Sequence, residues 1–397
     1  ANPGGAWRVS DIDIQSTEPG GRLDLALRGE LNELAGDAKA NLDISLRARD
    51  TALLEALSGL PLNPVAANAR ITTTPGLLTL TSEARVGDTM LNAEADIVHQ
   101  ERELRSLRLA LQSPLLSLAD FGLQADARGD REYRPVEKID DIEPGERLEA
   151  ILAHSPRYPT DITVNFNGIS GEHTNIQRLD MHMTGLDNRY TLRRFSLAYA
   201  DAEAEVRGII DLNPRPPAIS IAGEALTIPL STLGKDLGLK SEITGDLSLR
   251  GGITATGRDV EELTASLNGS LALALEDAVI AGGAYDVLAT DLLAWIYSGA
   301  ALEDSTNIDC TMGQFLLRDG VATSDSLYIE TRKMVAKGKA KVDLVKQKMD
   351  VEITPRSKSR SLQVPSSVRL RGDFDDPRAI ISPVSAAADA YTLSLIH

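Results

Sequence analysis

MVAKGKAKVDLVKQKMDVEI, residues Met334 to Ile353, alternates with a period of two. Ala336, Gly338, Ala340, Val342 and Leu344 stand between Lys337, Lys339, Lys341 and Asp343, so small and apolar groups fall on one face of a strand and charge on the other. A polar break at Lys346 to Lys348 follows. Met349, Val351 and Ile353 then repeat the alternation until Pro355 stops it, which predicts an antiparallel hairpin with one face that needs apolar cover.

The same grammar extends outward. Upstream, Gln314 to Leu317 and Ser326 to Thr331 flank Arg318-Asp319-Gly320, where Asp-Gly supplies the positive φ of a tight turn. Downstream, Val368, Leu370, Gly372 and Phe374 alternate until Asp375-Asp376-Pro377. A helix is expected near Ala289 to Trp295.

From the N-terminus, Trp7 to Ile14 and Leu23 to Leu27 predict a hairpin around Glu18-Pro19-Gly20-Gly21. A strand at Asn41 to Leu46 and a short helix at Thr51 to Leu57, N-capped by Asp50, come next. Ile71 to Thr74, Leu77 to Val86, Met90 to Val98 and Leu104 to Leu111 form a four-strand meander, closed by a short helix over Leu115 to Phe121 and then Gly122-Leu123. Gln177 to Thr184, Tyr190 to Tyr199, Ala204 to Leu212 and Ala218 to Ile221 repeat it, closed by Leu230 to Leu237 and Gly238-Leu239. The repeat of about 110 residues points to stacked units of one kind. Strands resume over Glu242 to Arg250 and Ala265 to Leu275, joined by a turn around Gly257. Residues 128–160 are charged, with prolines at 135, 144, 156 and 159 and a short amphipathic helix over Glu146 to His154, and form the best boundary. The expected organisation is an N-terminal β-repeat over 1–127, a linker over 128–160 and a C-terminal domain over 161–397.

Composition narrows the function. With 41 Lys and Arg against 58 Asp and Glu, a net charge of -17 spread along the chain repels phosphate backbones, so nucleic acid is excluded as a partner. The Lys cluster at 337 to 348 is the basic exception, either a solvated strand face or a site for anionic headgroups. Aromatics are only 4%, so aliphatic side chains must form whatever apolar surface exists. The single cysteine, Cys310, has no partner for an intramolecular disulfide and is expected as a small residue on a strand. No stretch approaches the roughly 20 apolar residues that span a bilayer.

Residues for catalysis are sparse. His99, His154, His173, His182 and His397 show no metal-ligand spacing, and Gly168-Ile169-Ser170-Gly171 lacks the spacing of a nucleophile elbow. Asp140-Asp141-Ile142-Glu143 has no framework to fix two carboxylates. No enzyme activity, metal or cofactor is expected.

So many one-sided strands outnumber the helices available to roof them. Either two sheets enclose a dry sandwich core, or one sheet curls on itself. The expected fold is all-β with short helices, in which repeated antiparallel β-meanders form an elongated curled sheet, a groove. Its candidate lining is Leu91, Ala93, Ala95 and Ile97; Leu107, Leu109 and Leu111; Leu267, Leu271, Leu273 and Leu275; and Val342, Leu344, Val351 and Ile353. At roughly 0.8 kcal/mol per buried methylene, an acyl chain of about 16 carbons gains on the order of 12 kcal/mol by leaving water for such a surface.

The order of elements from Leu271 to Pro383, strand-turn-strand through FLLRDGVATSDSLYIET, then the G-x-A-x-V-D-L strand, its partner and a closing V-x-L-x-G-x-F-x-D-P, resembles the C-terminal domain of the AsmA-like family. These are TamB-related envelope proteins of Gram-negative bacteria, similar to eukaryotic bridge-like lipid-transfer proteins. The resemblance implies a periplasmic location, an inner-membrane anchor N-terminal to the sequence given, and phospholipid carried in the groove between inner and outer membrane. It favours the groove over the dry core. The alternative is a protein-interaction scaffold that affects outer-membrane protein assembly through exposed strand edges.

Overall fold

The structure, a computed structural model, describes residues 8–17, 22–32, 39–52, 54–55, 61–100, 103–123, 158–171, 175–236, 242–281, 305–332, 334–358, 367–373 and 376–382. The turn at Glu18 to Gly21, the helices expected at Glu146 to His154 and Ala289 to Trp295, the acidic run at Asp140 to Glu143, Phe374, His154, His173 and His397 lie outside them. The chain divides into two compact units, one of residues 1–200 with 204–217 and one of 201–203 with 218–397.

In the first unit β1 (Arg8–Thr17), β2 (Leu23–Asn32), β3 (Lys39–Ala48), β4 (Val65–Thr74), β5 (Leu77–Val86), β6 (Thr89–Gln100) and β7 (Glu103–Ser113) form an uninterrupted antiparallel meander. A two-residue strand, β8 (Leu116–Ser117), leads into a 3-10 helix over Leu118–Phe121. The next long strand, β9 (Thr160–Phe166), lies parallel to β7, and β10 (Ile169–Ser170) lies parallel to β8. Parallel neighbours require a connection of a dozen residues or more, and residues 114–159 provide it. Beyond β9 the antiparallel order returns with β11 (Asn175–Leu186) and β12 (Arg189–Tyr199). Strand β13 (Ala202–Asp211) falls at the division between units.

The second unit opens with β14 (Ala218–Pro229), helix α1 (Leu230–Asp236) and the short β15 (Glu242–Ile243). It continues through β16 (Asp246–Thr256), helix α2 (Val260–Ala265), β17 (Asn268–Ala281), β18 (Ser305–Arg318), β19 (Val321–Glu330), β20 (Met334–Asp343), β21 (Lys348–Ser357), β22 (Ser367–Asp373) and β23 (Asp376–Ser382). β14 pairs with β16, and from β16 to β23 each strand pairs antiparallel with the next. The fold class is as expected: all-β with short helices, built from antiparallel meanders.

Turn chemistry sets the registers. Asp187 and Asn188 both take positive φ between Leu186 and Arg189, and Asp319 and Gly320 do so between Arg318 and Val321, the geometry that matches hairpin twist. Three expectations are corrected. Leu344 is not on a strand: β20 ends at Asp343, which pairs with Lys348 across a four-residue turn from Leu344 to Gln347. The Asp343 carboxylate accepts the Lys346 N–H at 2.9 Å, an Asx-type bond that closes the turn two residues earlier than the lysines suggested. Between β16 and β17 stands α2 instead of a simple turn at Gly257, started by Asp259, whose Oδ1 accepts the Glu262 N–H at 2.7 Å. The helix expected from Leu115 shrinks to Leu118–Phe121, because Leu116 and Ser117 pair with β10.

Two local devices hold the meanders in place. At Gly269, φ is +143° and an added Cβ would sit 2.1 Å from the Gly252 carbonyl oxygen, so only glycine permits this close approach of β17 to β16. The second is a clasp. Asp120, only 4% exposed, accepts the Thr89 hydroxyl at 2.7 Å, the Thr89 N–H at 2.9 Å, the Asp88 N–H at 3.1 Å and the Asn63 side-chain amide at 2.7 Å. One carboxylate therefore pins the β5–β6 turn to the segments before β4 and after β7. Replacing Asp120 by Ala strands these donors and is expected to destabilise the chain by on the order of 3 kcal/mol. Asp88→Ala, whose side chain is exposed, should stay within about 0.5 kcal/mol. Urea unfolding of the two variants decides it, and equal midpoints would remove the clasp.

Candidate functional site

Cross-strand register shows which side chains share a face. In the first unit one row runs Ile44, Ala69, Ser82, Ala93, Leu111, Val164, Met181, Phe195 from β3 to β12. A second runs Leu42, Ile71, Leu80, Ala95, Leu109, Ile162, Met183, Leu192 beside it. Shorter rows of Leu46, Ala67, Ala84, Leu91 and of Leu78, Ile97, Leu107 flank them. The seven candidates of this region, Leu91, Ala93, Ala95, Ile97, Leu107, Leu109 and Leu111, thus lie on a common face. Ile162, Val164, Met181, Met183 and Phe195 join it through the parallel β7–β9 pairing, which no meander reading from sequence supplies.

The second unit has its own face. Ile228, Leu247, Leu275, Thr311, Ile329 and Ala336 form one row, and Ala225, Leu249, Leu273 and Gly313 the next. The register slips between Met312 and Leu316, yet Leu327 lies over Gly313, so the row resumes through Gly338 and Ile353. Leu271 pairs with Phe315 in a third row, while Ala340 leads through Val351 to Leu370, and Val342 pairs with Met349 in a fourth. Leu271, Leu273, Leu275, Val342, Val351 and Ile353 therefore share this face. Leu267, between α2 and β17, and Leu344, in the hairpin turn, are outside the strand ladder.

Exposure distinguishes these faces from a sandwich interior. Among the described residues seven of the twelve buried apolar side chains are alanine, and the large ones are Val86, Val164, Ile169, Leu317 and Met334. Every candidate on the two faces except buried Ala95 is half-buried. Side chains between two packed sheets would be closed from water at crystal-like density. Here they lean on their cross-strand neighbours and keep one side open.

The opposite faces are polar. In the first unit Arg70 bonds Asp43 at 2.7 Å, Thr79 bonds Asp96 at 3.0 Å and Asn165 bonds Asp180 at 2.9 Å. A cavity of about 620 Å³ on this side is lined by Arg28, Asp43, Ser45, Asn68, Arg70, Thr81, Glu83, Asn92, Glu94 and Gln112, with Ala93 the single candidate on its border. Ala26 and the β3–β6 part of the first row, Ile44, Ala69, Ser82 and Ala93, also border it, so the cavity sits where polar and apolar positions alternate along these strands. A second, of about 420 Å³, includes Asp96, Arg108, Asp161, Thr184 and Leu107. Near it His182 Nε2 stands 3.1 Å from Asp161 Oδ1, a pair that sequence spacing hid because β9–β11 pairing brings together residues 21 apart. Both are half-exposed, so this is a polar surface pair. Among the described residues no cluster of three or more His, Cys, Asp or Glu could hold a metal ion. Cys310 lies on β18, in register with Glu276 and Glu330; burial, then the two carboxylates, push its thiol up, the opposite of nucleophile activation.

In the second unit Arg369 grips Asp350 with Nε at 2.6 Å and Nη2 at 2.5 Å, and this hydrogen bonding holds the Asp350 carboxyl below its ordinary value. A lowered folded-state value means that the pair stabilises the fold fully above the ordinary carboxylate range and that this contribution disappears as pH falls through the lowered one. Asp350→Asn should therefore shift the urea midpoint at pH 7 slightly downward and flatten its decline toward pH 3. Parallel curves for variant and parent would discount the pair.

A protein-family model described as the AsmA family matches residues 28–327. The match covers β2 through most of β19 and stops before the β20–β21 hairpin, so the family signal lies further toward the N-terminus than the 271–383 order of elements had placed it. No curated protein and no solved structure matches the chain. With the apolar-faced meanders in view and 300 of 397 residues under the family model, the chain belongs to the AsmA family.

Proposed function

We propose that this chain is a periplasmic, non-enzymatic AsmA protein that binds phospholipid acyl chains on its apolar sheet faces and supports lipid transport between inner and outer membrane. The observation that carries the reading is the continuity of the in-register apolar rows together with their partial exposure. AsmA proteins are a bacterial envelope family, and the family's role in lipid transfer or outer-membrane assembly agrees with such a surface. Within the first unit eight neighbouring strands, β3 to β12, at roughly 4.8 Å spacing carry the rows over about 34 Å. An acyl chain laid there exchanges water for Leu, Ile and Met side chains and requires no specific hydrogen bond, while the headgroup stays hydrated. No bond is made or broken; the face lowers the cost of moving a tail through water.

The second reading is a scaffold for outer-membrane protein assembly. It draws on β1, which among the described residues ladders with β2 alone and so offers an edge to a partner strand. Native mass spectrometry of the purified chain, followed by extraction and identification of what co-purifies, separates the two. Bound phospholipid is expected, and Leu109→Asp or Val351→Asp should cut uptake of a fluorescent phospholipid at least about fivefold while the thermal midpoint changes little, because both side chains are half-open to water. A lipid-free protein that takes up no fluorescent phospholipid would sink the acyl-chain reading and turn attention to partner strands.

A further inference from the structure

Charge is distributed unevenly along this acidic chain. Residues 331–380 hold thirteen Lys and Arg against six Asp and Glu, within a sequence of net charge -17. Among the described residues the ladder places Lys337, Lys339, Lys341, Lys348, Arg369 and Arg371 on one side of β20–β22. Lys337, Lys339 and Lys341 alternate along β20 on the side away from Ala336, Ala340 and Val342. In register, Lys339 continues through Glu352 to Arg369, and Lys341 through Asp350 to Arg371.

Exposed Glu352 stands among these cations, while three other acids nearby are engaged. Asp350 is gripped by Arg369, Glu330 by Lys358 at 2.6 Å, and Asp343 by the Lys346 N–H and, at 3.4 Å, its ammonium. Lys339 to Asp325 at 3.6 Å and Lys348 to Asp373 at 3.7 Å are long contacts between exposed groups, which leave most of each lysine's field in solvent. The positive surplus is therefore presented outward. At the end of the same strands the Leu344 to Gln347 turn holds an exposed Val345 between Leu344 and Lys346, with Lys348 following. An exposed apolar side chain next to two lysines suits the boundary between headgroups and acyl chains.

We propose that the lysine face of β20–β22, with the β20–β21 hairpin tip, docks on the surface of an anionic lipid bilayer. The charge complementarity is local: the rest of the chain is acidic and is repelled by the same surface, so docking is oriented, with this end toward the membrane. The assignment stands apart from acyl-chain binding on the apolar faces.

The test is flotation of the full chain with vesicles of phosphatidylethanolamine, with and without phosphatidylglycerol, at low and physiological ionic strength. Binding is expected only with phosphatidylglycerol and should weaken as salt rises. At about fivefold in partition per cation near the surface, changing Lys337, Lys339, Lys341 and Lys348 together to Gln should lower binding at least about 50-fold. A control with Arg105, Arg108, Arg189 and Arg193 changed to Gln alters net charge equally but in the first unit, and should stay within about twofold. Thermal midpoints of both variants check folding. Equal losses in the two variants, binding indifferent to phosphatidylglycerol, no binding, or equal competition by duplex DNA would each overturn the proposal. Lipid co-purification is scored separately, so retained acyl-chain binding without flotation refutes docking and leaves the apolar faces untouched.

Discussion

Register is the constraint on which both units depend. A strand presents alternate residues to opposite faces, so sliding any one strand by a single position would carry its leucines to the charged side and its lysines to the apolar side. Continuity of an apolar row across eight strands requires that every pairing between them be kept. Short turns enforce this. Asp187-Asn188 and Asp319-Gly320 hold their strands with two residues each, and Asp343 ties down the longer turn after β20. Register also shifts at bulges, as between His182 and Met183 on β11 and between Met312 and Leu316 on β18, and at the second of these the Leu327 side chain lies against Gly313.

Given fixed register, chemistry segregates without further design. Arg70 and Asp43, or Arg369 and Asp350, meet across strands because both are on the solvated side, where exposed pairs contribute modestly. The opposite side gathers Leu, Ile, Val, Met and Ala and lacks charge along its rows. The same pattern makes a barrier on one face and a solubilising coat on the other. Stability comes from neighbours within the sheet more than from a roof over it, which is why alanine dominates among the closed positions.

Much of this was legible in the sequence because period-two alternation and turn dipeptides are local signals. The four-strand meanders, their repetition, the Asp-Gly turn and the common face of Leu107, Leu109 and Leu111 all follow from residues within a few positions of one another. What escaped is non-local or is decided by one hydrogen bond. The parallel pairing of β7 with β9 spans 114–159, and with it came the His182–Asp161 pair and the Met181 and Met183 extension of the apolar face. Leu344 carries the alternation but sits in a turn, since Asp343 caps the backbone first. The α2 helix had a visible start signal in Asp259 and Glu262, overridden in the reading by the strand-like run that follows. Leu267 was swept into that run for the same reason.

A ladder in which each strand touches mainly its two neighbours behaves as a one-dimensional chain, in which melting can begin at an end and propagate inward strand by strand. The Asp120 clasp interrupts that scheme. By joining Asn63, the Asp88–Thr89 corner and the segment after β7, it couples four strands into a block that must open together. Fraying from the β1 edge would halt there. The first unit thus acquires a fixed point, from which β1 to β3 can loosen without unzipping the strands beyond it.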